Sequence, residues 1–290
     1  MDTGSVVIAI TSLCAAVVTG ALGYGYSSIT VPISLLVTTS RLLNPALVIV
    51  EVVVNVYALF LGRRSIRRVW PQVMPVAIGI LPGVAVGSLV LAAISPEWAK
   101  LVTYGALLPL ILVQAAGLRF PLRRVNVVGI PFGGAVGVLY SLTTISGPPL
   151  ALYFNNQGMA KDDFKVALAL TRTIESTTTL IAYAVLGMIT RESAALVPYL
   201  APGVLLGLPL GFALIRHVQP ETFRRVCMSF DGWLVAFGLS RVIDQLELVP
   251  TIWAFQVMVL TLVIDAILLR AFFRRRSAAP PALAAAMISR

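Results

Sequence analysis

Apolar residues run along this chain in long unbroken stretches instead of alternating with polar ones. The stretches cover about 4–23, 44–62, 72–94, 98–117, 126–144, 164–189, 195–215, 225–241 and 250–271. A helix needs roughly 20 such residues to cross a bilayer, and only helices or closed barrels satisfy their backbone there. Continuous runs favour helices, because barrel strands would alternate. Two shorter pieces, 25–39 and 146–157, follow Gly-rich stretches and contain Pro32 and Pro148–Pro149. Each is too short for an upright span and reads as a half-helix or the returning limb of a re-entrant pair. The pattern predicts an all-α integral membrane protein with about nine long transmembrane helices plus two short or re-entrant segments.

Composition agrees and narrows the function. Hydrophobic residues make up 58% and charged residues 12% of the chain, against about 25% charged in soluble proteins. A mean hydropathy of +0.93 leaves too little polar side chain to cover a globule. That excludes a soluble enzyme, a nucleic-acid reader and a disordered chain. Cys14 and Cys227 lie inside apolar runs, so neither a disulfide framework nor a zinc cluster is indicated. The first apolar run lacks a basic lead-in and continues into Gly20–Gly25. It reads as a resident segment, not a cleaved signal.

The net charge of +10 would suit nucleic acid, so its placement matters. With the N-terminus outside and every segment reversing the chain, the inside loops are 62–71, 118–125, 158–165, 216–225 and the tail from Arg270. They hold 17 of the 22 lysines and arginines. The charge divides into +14 inside, −1 outside and −3 within the membrane. This is the positive-inside bias of a multi-pass cell-membrane protein with a cytoplasmic C-terminus. The basic excess therefore orients the chain in a lipid bilayer and does not indicate nucleic acid. Arg172, Glu51, Glu175, Asp231 and Asp265 remain within the bilayer.

The chain also repeats itself weakly. Gly20-Ala-Leu-Gly23 matches Gly134-Ala-Val-Gly137, and each is followed by Ser/Thr residues and then Pro32 or Pro148. Pro82-Gly83-Val-Ala-Val-Gly87 matches Pro202-Gly203-Val-Leu-Leu-Gly207, and Ser95-Pro96-Glu97 matches Gln219-Pro220-Glu221. The expected organisation is a first repeat over 1–118, a second over 126–242, an extra helix at 250–271 and a basic cytoplasmic tail at 272–290. Each repeat holds five segments, an odd number, so the second enters the bilayer inverted. Secondary transporters built this way bind substrate near the midplane, where interrupted helices present free backbone ends. The expected helix breaks are Gly23, Gly25 and Pro32 in the first half and Gly137, Pro148 and Pro149 in the second. Small residues also allow close helix packing, which is the competing explanation for each Gly pair.

These residues carry a resemblance. Gly20-x-x-Gly-x-Gly25 with Pro32, the basic loop Gly62-Arg-Arg-Ser-Ile-Arg-Arg68, and Pro82-Gly-x-x-x-Gly87 resemble the first half of the sulfite exporter TauE/SafE family. Ser146-Gly-Pro-Pro-Leu150, the downstream Lys165 and Arg172, and Pro202-Gly-x-x-x-Gly207 resemble its second half. The likeness extends over roughly residues 5–270. It implies a permease of two homologous halves that moves sulfur-containing anions such as sulfite or organosulfonates, usually outward.

Charged side chains at the bilayer centre cost roughly 2.5–3.5 kcal/mol on insertion scales and call for an explanation. Arg172, Glu175, Ser176, Thr179 and Tyr183 share one face of their segment at helical spacing. One cation among hydroxyls is what an anion pathway needs, and guanidinium grips two oxyanion oxygens at once. A static ion pair of Arg172 with Glu175 or Glu51 is the structural alternative. Glu51 and Asn55 share a face of the third segment, and the repeat offset matches them with Thr171 or Arg172 and with Glu175 or Ser176. The two helices should therefore approach each other. Burial and a nearby guanidinium act on a carboxylate in opposite senses, so Glu51 or Glu175 could carry a proton in exchange for an anion. Thr144, Ser146 and Gly147, with Asn155-Asn156-Gln157 beyond, line the second short element. A helix starting at Pro148–Pro149 would aim its N-terminal end at an anion there. Ser27, Ser28 and Thr30 would supply the opposing half of the substrate site.

No metal-ligand cluster, phosphate-binding Gly-rich loop or Ser/His/Asp set occurs in the sequence, so no metal, cofactor or ATP-driven pumping is indicated. Asp265, about one turn from the basic tail, is expected to lean towards it. The leading expectation is a non-enzymatic secondary transporter exporting a small anionic substrate, a sulfur oxyanion, by alternating access. An intramembrane enzyme and a membrane assembly subunit without transport are the alternatives.

Overall fold

The computed structural model describes residues 3–23, 25–116, 125–155, 157–215, 217–218 and 220–277. Most of the basic loop 118–125, Asn156 and the tail beyond Ser277 lie outside the described residues. Within them the chain is helical: α1 (Thr3–Leu22), α2 (Tyr26–Ser34), α3 (Ser40–Leu61), α4 (Ile66–Ala93), α5 (Pro96–Ala115), α6 (Val125–Thr143), α7 (Gly147–Asn155), α8 (Lys161–Val185), α9 (Arg191–Ala194), α10 (Val197–Leu214), α11 (Pro220–Gln245), α12 (Thr251–Ala254) and α13 (Gln256–Ser277). Seven described helical spans are long and apolar enough to cross a membrane. The expected count of nine therefore needs a distinction: α6 has a shorter apolar stretch, Val128–Thr143, and α8 carries Arg172, Glu175 and several hydroxyls along its length.

The packing is inside-out relative to a soluble protein. Leu205 on α10 is 74% exposed and Ile252 80%, while Glu51, Asn55, Arg172 and Glu175 are buried. Burying polar groups and turning aliphatic ones outward is the arrangement hydrocarbon solvent selects. α5 and α11 start alike, with proline at the first helical position and glutamate next. That position spares proline its missing N–H, and in α5 the acid, Glu97, complements the helix dipole.

α1 packs along α10, α4 along α6, α3 against α8 and α5 against α11. Counted from α1 and from α6, with the four-residue α9 left out, the first helix of each run lies on the fourth of the other, third meets third, and fifth meets fifth. The matched Pro-Gly-x-x-x-Gly motifs form the seams. A Cβ on Gly83 would strike the Gly134 carbonyl, and one on Gly207 would lie 2.7 Å from the Leu13 carbonyl. Gly137 belongs to the same class: a Cβ there would lie 2.7 Å from the Ile80 carbonyl, and α6 runs straight through it. Gly137 is thus a packing residue and not the expected break.

The breaks themselves differ between the halves. After α1 the chain turns at Gly23 and Gly25, with φ of 83° and 109°, conformations natural only to glycine. After α6 it turns at Thr144, with φ of 57°, a strained choice for a β-branched residue. Ile145 N donates to Thr143 Oγ1 at 3.1 Å and steadies that turn. Both short helices double back. Tyr26, which opens α2, reaches Ser12 in the middle of α1 at 2.8 Å, and Tyr153 of α7 stacks on Phe132 of α6 with centroids 4.5 Å apart. Nine helical residues rise about 13.5 Å, less than half the hydrocarbon thickness of roughly 30 Å. Pro32 does not break α2 but sits inside its last turn.

Two of the loops assigned to one side by charge, 62–71 and 158–165, meet in the structure. Arg68 pairs with Asp163 at 3.3 Å. Arg41 donates to the Ala92 and Ile94 carbonyls at 2.8 and 2.6 Å, closing the C-terminal end of α4. Arg225 departs from the expected inside loop. It is 4% exposed within α11 and pairs with Asp265 of α13 at 2.7 Å. Asp265 therefore faces α11 instead of leaning towards the tail, and it also accepts from Ser229 and Trp233. The additional C-terminal helix runs to Ser277, past the expected limit of 271.

Candidate functional site

The two helix breaks bring two short helices to the middle of α3 and α8, and two serine–glutamate pairs result. Ser27, the second residue of α2, donates its hydroxyl to Glu51 Oε1. Ser146, immediately before α7, donates to Glu175 Oε2. Both glutamates sit near the centre of their helices, 1% and 0% exposed. The shared partner matches Glu51 with Glu175, one helical turn away from the match with Thr171 or Arg172 that the repeat offset implied. α2 with α3, and α7 with α8, thus each form a serine–glutamate pair between a short helix or its lead-in and a long one.

Arg172 removes the symmetry. Its Nη2 donates to Glu51 Oε1 at 2.9 Å, an ion pair that is buried on both sides. Tyr140 of α6 donates to Glu51 Oε2 at 2.6 Å. Glu51 is thus held by a guanidinium, a phenol and a serine. Glu175 has only Ser146, and its Oε1 is without a hydrogen-bond partner among the described residues. Arg172 Nε and Thr179 Oγ1 are likewise buried and unpartnered. Asn55 completes the contact between α3 and α8, with its Nδ2 3.5 Å from Ser176 Oγ and from the Arg172 carbonyl. The approach of these two helices follows the sequence expectation directly. With both carboxylates ionised the constellation carries one surplus negative charge.

Other expected residues fall elsewhere. Thr30 bonds its own helix, donating to the Tyr26 carbonyl at 2.8 Å. Ser28 is buried on α2. Thr144 donates to the Thr143 carbonyl at 2.7 Å and so serves the turn. The α7 end offers fewer amides than a Gly-rich start suggests. Pro148 and Pro149 have no N–H, and Leu150 N donates to the Ser146 carbonyl at 3.1 Å. The first turn brings at most one further amide, that of Gly147. Side chains of α3 and α8, more than a backbone cradle, define this site. No group of three or more metal-binding side chains occurs among the described residues.

The family profile described as sulfite exporter TauE/SafE matches residues 8–238. This chain belongs to that family. The match spans both serine–glutamate pairs and ends before α12 and α13. A curated relative from Cupriavidus necator (strain ATCC 17699), described as "Probable sulfite/organosulfonate exporter TauE", is 31% identical over 182 residues, covering 61% of this chain and 70% of the relative. No solved structure matches the chain significantly. Membership of the TauE/SafE family makes the protein a multi-pass membrane transport protein.

Two side chains of the described structure carried no readable signal. Tyr140 lies in an apolar run where a tyrosine looks like any other large core residue. Its hydroxyl finds Glu51 only because α6 and α3 cross. Arg225 follows Arg224 in a stretch that reads as a basic loop, and its burial depends on α13, far along the chain.

Proposed function

We propose that the protein is a secondary transporter that exports a small sulfur-containing oxyanion, sulfite or an organosulfonate, across the cytoplasmic membrane. The observation that carries this reading is the buried Glu51–Arg172–Glu175 constellation between the two short helices, in a chain of the sulfite exporter family. Arg172 gives one N–H to Glu51 and keeps Nε–H free for another acceptor. A small oxyanion is the ligand a planar, permanently charged guanidinium takes best. Thr179 Oγ1 adds a second unpartnered polar atom one turn beyond Glu175.

Glu175 is the coupling group in this account. Its proton sets the net charge of the constellation, neutral when bound and −1 when lost. The neutral site admits an anion, and the charged site expels it. A proton and an anion that stabilise each other travel together, so charge balance favours joint passage over the simple exchange expected from the sequence. Alternating access follows if the α1–α10 and α4–α6 pairs move as bodies around the α3–α8 contact. The proposed orientation, N-terminus outside and C-terminus cytoplasmic, rests on the basic loops.

Reconstitution into vesicles tests the reading. Wild-type protein should carry radiolabelled sulfite or ethanesulfonate saturably, and an imposed pH gradient should change net flux. Glu175→Gln, which mimics the protonated side chain, should retain anion counterflow while its net flux ignores the gradient. Unaltered pH coupling in that variant would refute the role of Glu175.

A further inference from the structure

We propose a second anion site at the other end of α2, between Lys100 and Arg241, through which the transported oxyanion passes on its way between the central site and the surface; this rests on the transport reading above. A cavity of about 30 Å³ opens there between the end of α2, α5 and α11, lined in part by Leu35, Leu36, Lys100, Tyr104, Arg241 and Gln245. Its lining holds two cations and no carboxylate. Glu97, one turn before Lys100 on α5, lies outside the lining and attracts the Lys100 ammonium, so Arg241 is the cation left to the cavity without a nearby acid in its lining. Arg241 repels Lys100 across this space, and an anion held between them would relieve that repulsion. Lys100 is half-buried and Arg241 exposed, so the site grades from interior to surface. Gln245 supplies a neutral amide beside the two cations.

The connection to the central site is α2 itself. Its first turn holds Ser27 against Glu51, and its far end, at Leu35 and Leu36, borders the cationic cavity. The carbonyl end of a helix repels anions, but Tyr104 donates to the Pro32 carbonyl at 2.9 Å and takes up that acceptor. The side-chain cations then set the sign of the cavity. One short helix, about 13.5 Å long, thus runs from the serine that holds Glu51 to the cationic cavity.

Lys100 makes the proposal testable without reference to flux. Purified wild-type protein is treated with a water-soluble amine-acylating reagent, and modification of Lys100 is read by peptide mass spectrometry with and without ethanesulfonate. Ethanesulfonate should slow the reaction, equally in an Arg172→Lys variant. Arg241→Gln should weaken that protection roughly fivefold, as loss of one charge contact implies. Repetition in vesicles of neutral phosphatidylcholine and of anionic phosphatidylglycerol separates a soluble oxyanion from a lipid headgroup. Protection by phosphatidylglycerol alone would assign the cations to lipid and overturn the proposal. Absence of protection while wild-type flux is intact would overturn it too and leave the central site standing. Protection without any wild-type flux would support the anion site and sink the transport reading.

Discussion

The ion pair of Glu51 and Arg172 gives a prediction with a magnitude. Glu51→Gln keeps the volume and the acceptor oxygen that Ser27 uses, removes the charge facing Arg172 at 2.9 Å, and puts an NH2 where Tyr140 donates, which that hydroxyl meets by turning to accept. Arg172 is 5% exposed, so the guanidinium cannot turn to water. Breaking a buried pair from one side costs about 3–5 kcal/mol, whereas replacing both partners with neutral groups is often neutral or stabilising. At about 2 °C per kcal/mol for a chain of this size, the single variant should melt roughly 6–10 °C below wild type. Glu51→Gln combined with Arg172→Met should recover most of that loss. Thermal unfolding of the three proteins in one detergent, followed by intrinsic fluorescence, reads both quantities. A Glu51→Gln protein as stable as wild type, or a double variant weaker than Glu51→Gln, would refute the argument that the two charges compensate each other.

Two further outcomes test the framework around the site. Gly83→Ala should destabilise by about 1–3 kcal/mol, because the new methyl meets the Gly134 backbone, while Gly105→Ala, with nothing within 4 Å, should be silent; melting midpoints of the two variants decide it. Asp265→Asn leaves Arg225 buried without its partner and should lower the melting midpoint by a margin like that of Glu51→Gln, with counterflow per folded molecule unchanged, since α13 lies outside the matched halves; lost counterflow at normal stability would contradict that separation.

The helices were readable because hydrocarbon demands continuous apolar runs, and the two short elements because glycine and proline interrupt those runs. What marks a break is less readable. Gly23 and Gly25 turn the chain as glycines do, but Thr144 turns it against its own preference, and Gly137, chemically like Gly23, packs a helix seam instead. Sequence alone cannot tell a glycine that bends from one that lets another backbone approach. The charged residues of the candidate site stood out because each is costly in a bilayer. Their pairing did not, since whether Arg172 meets Glu51 or Glu175 depends on how α3 and α8 cross. Tyr140 and Arg225 owe their roles to helices distant in the chain, and no local pattern announces them.

The most direct test of the central claim is sulfite counterflow through vesicles containing the doubly neutral variant, Glu51→Gln with Arg172→Met. The pair's removal leaves a folded protein by the argument above, so flux reports the chemistry and not the fold. The account predicts counterflow at the level of protein-free vesicles, with wild-type protein well above it. Wild-type counterflow from the folded double variant would contradict it, because the anion would then cross without the guanidinium assigned to hold it.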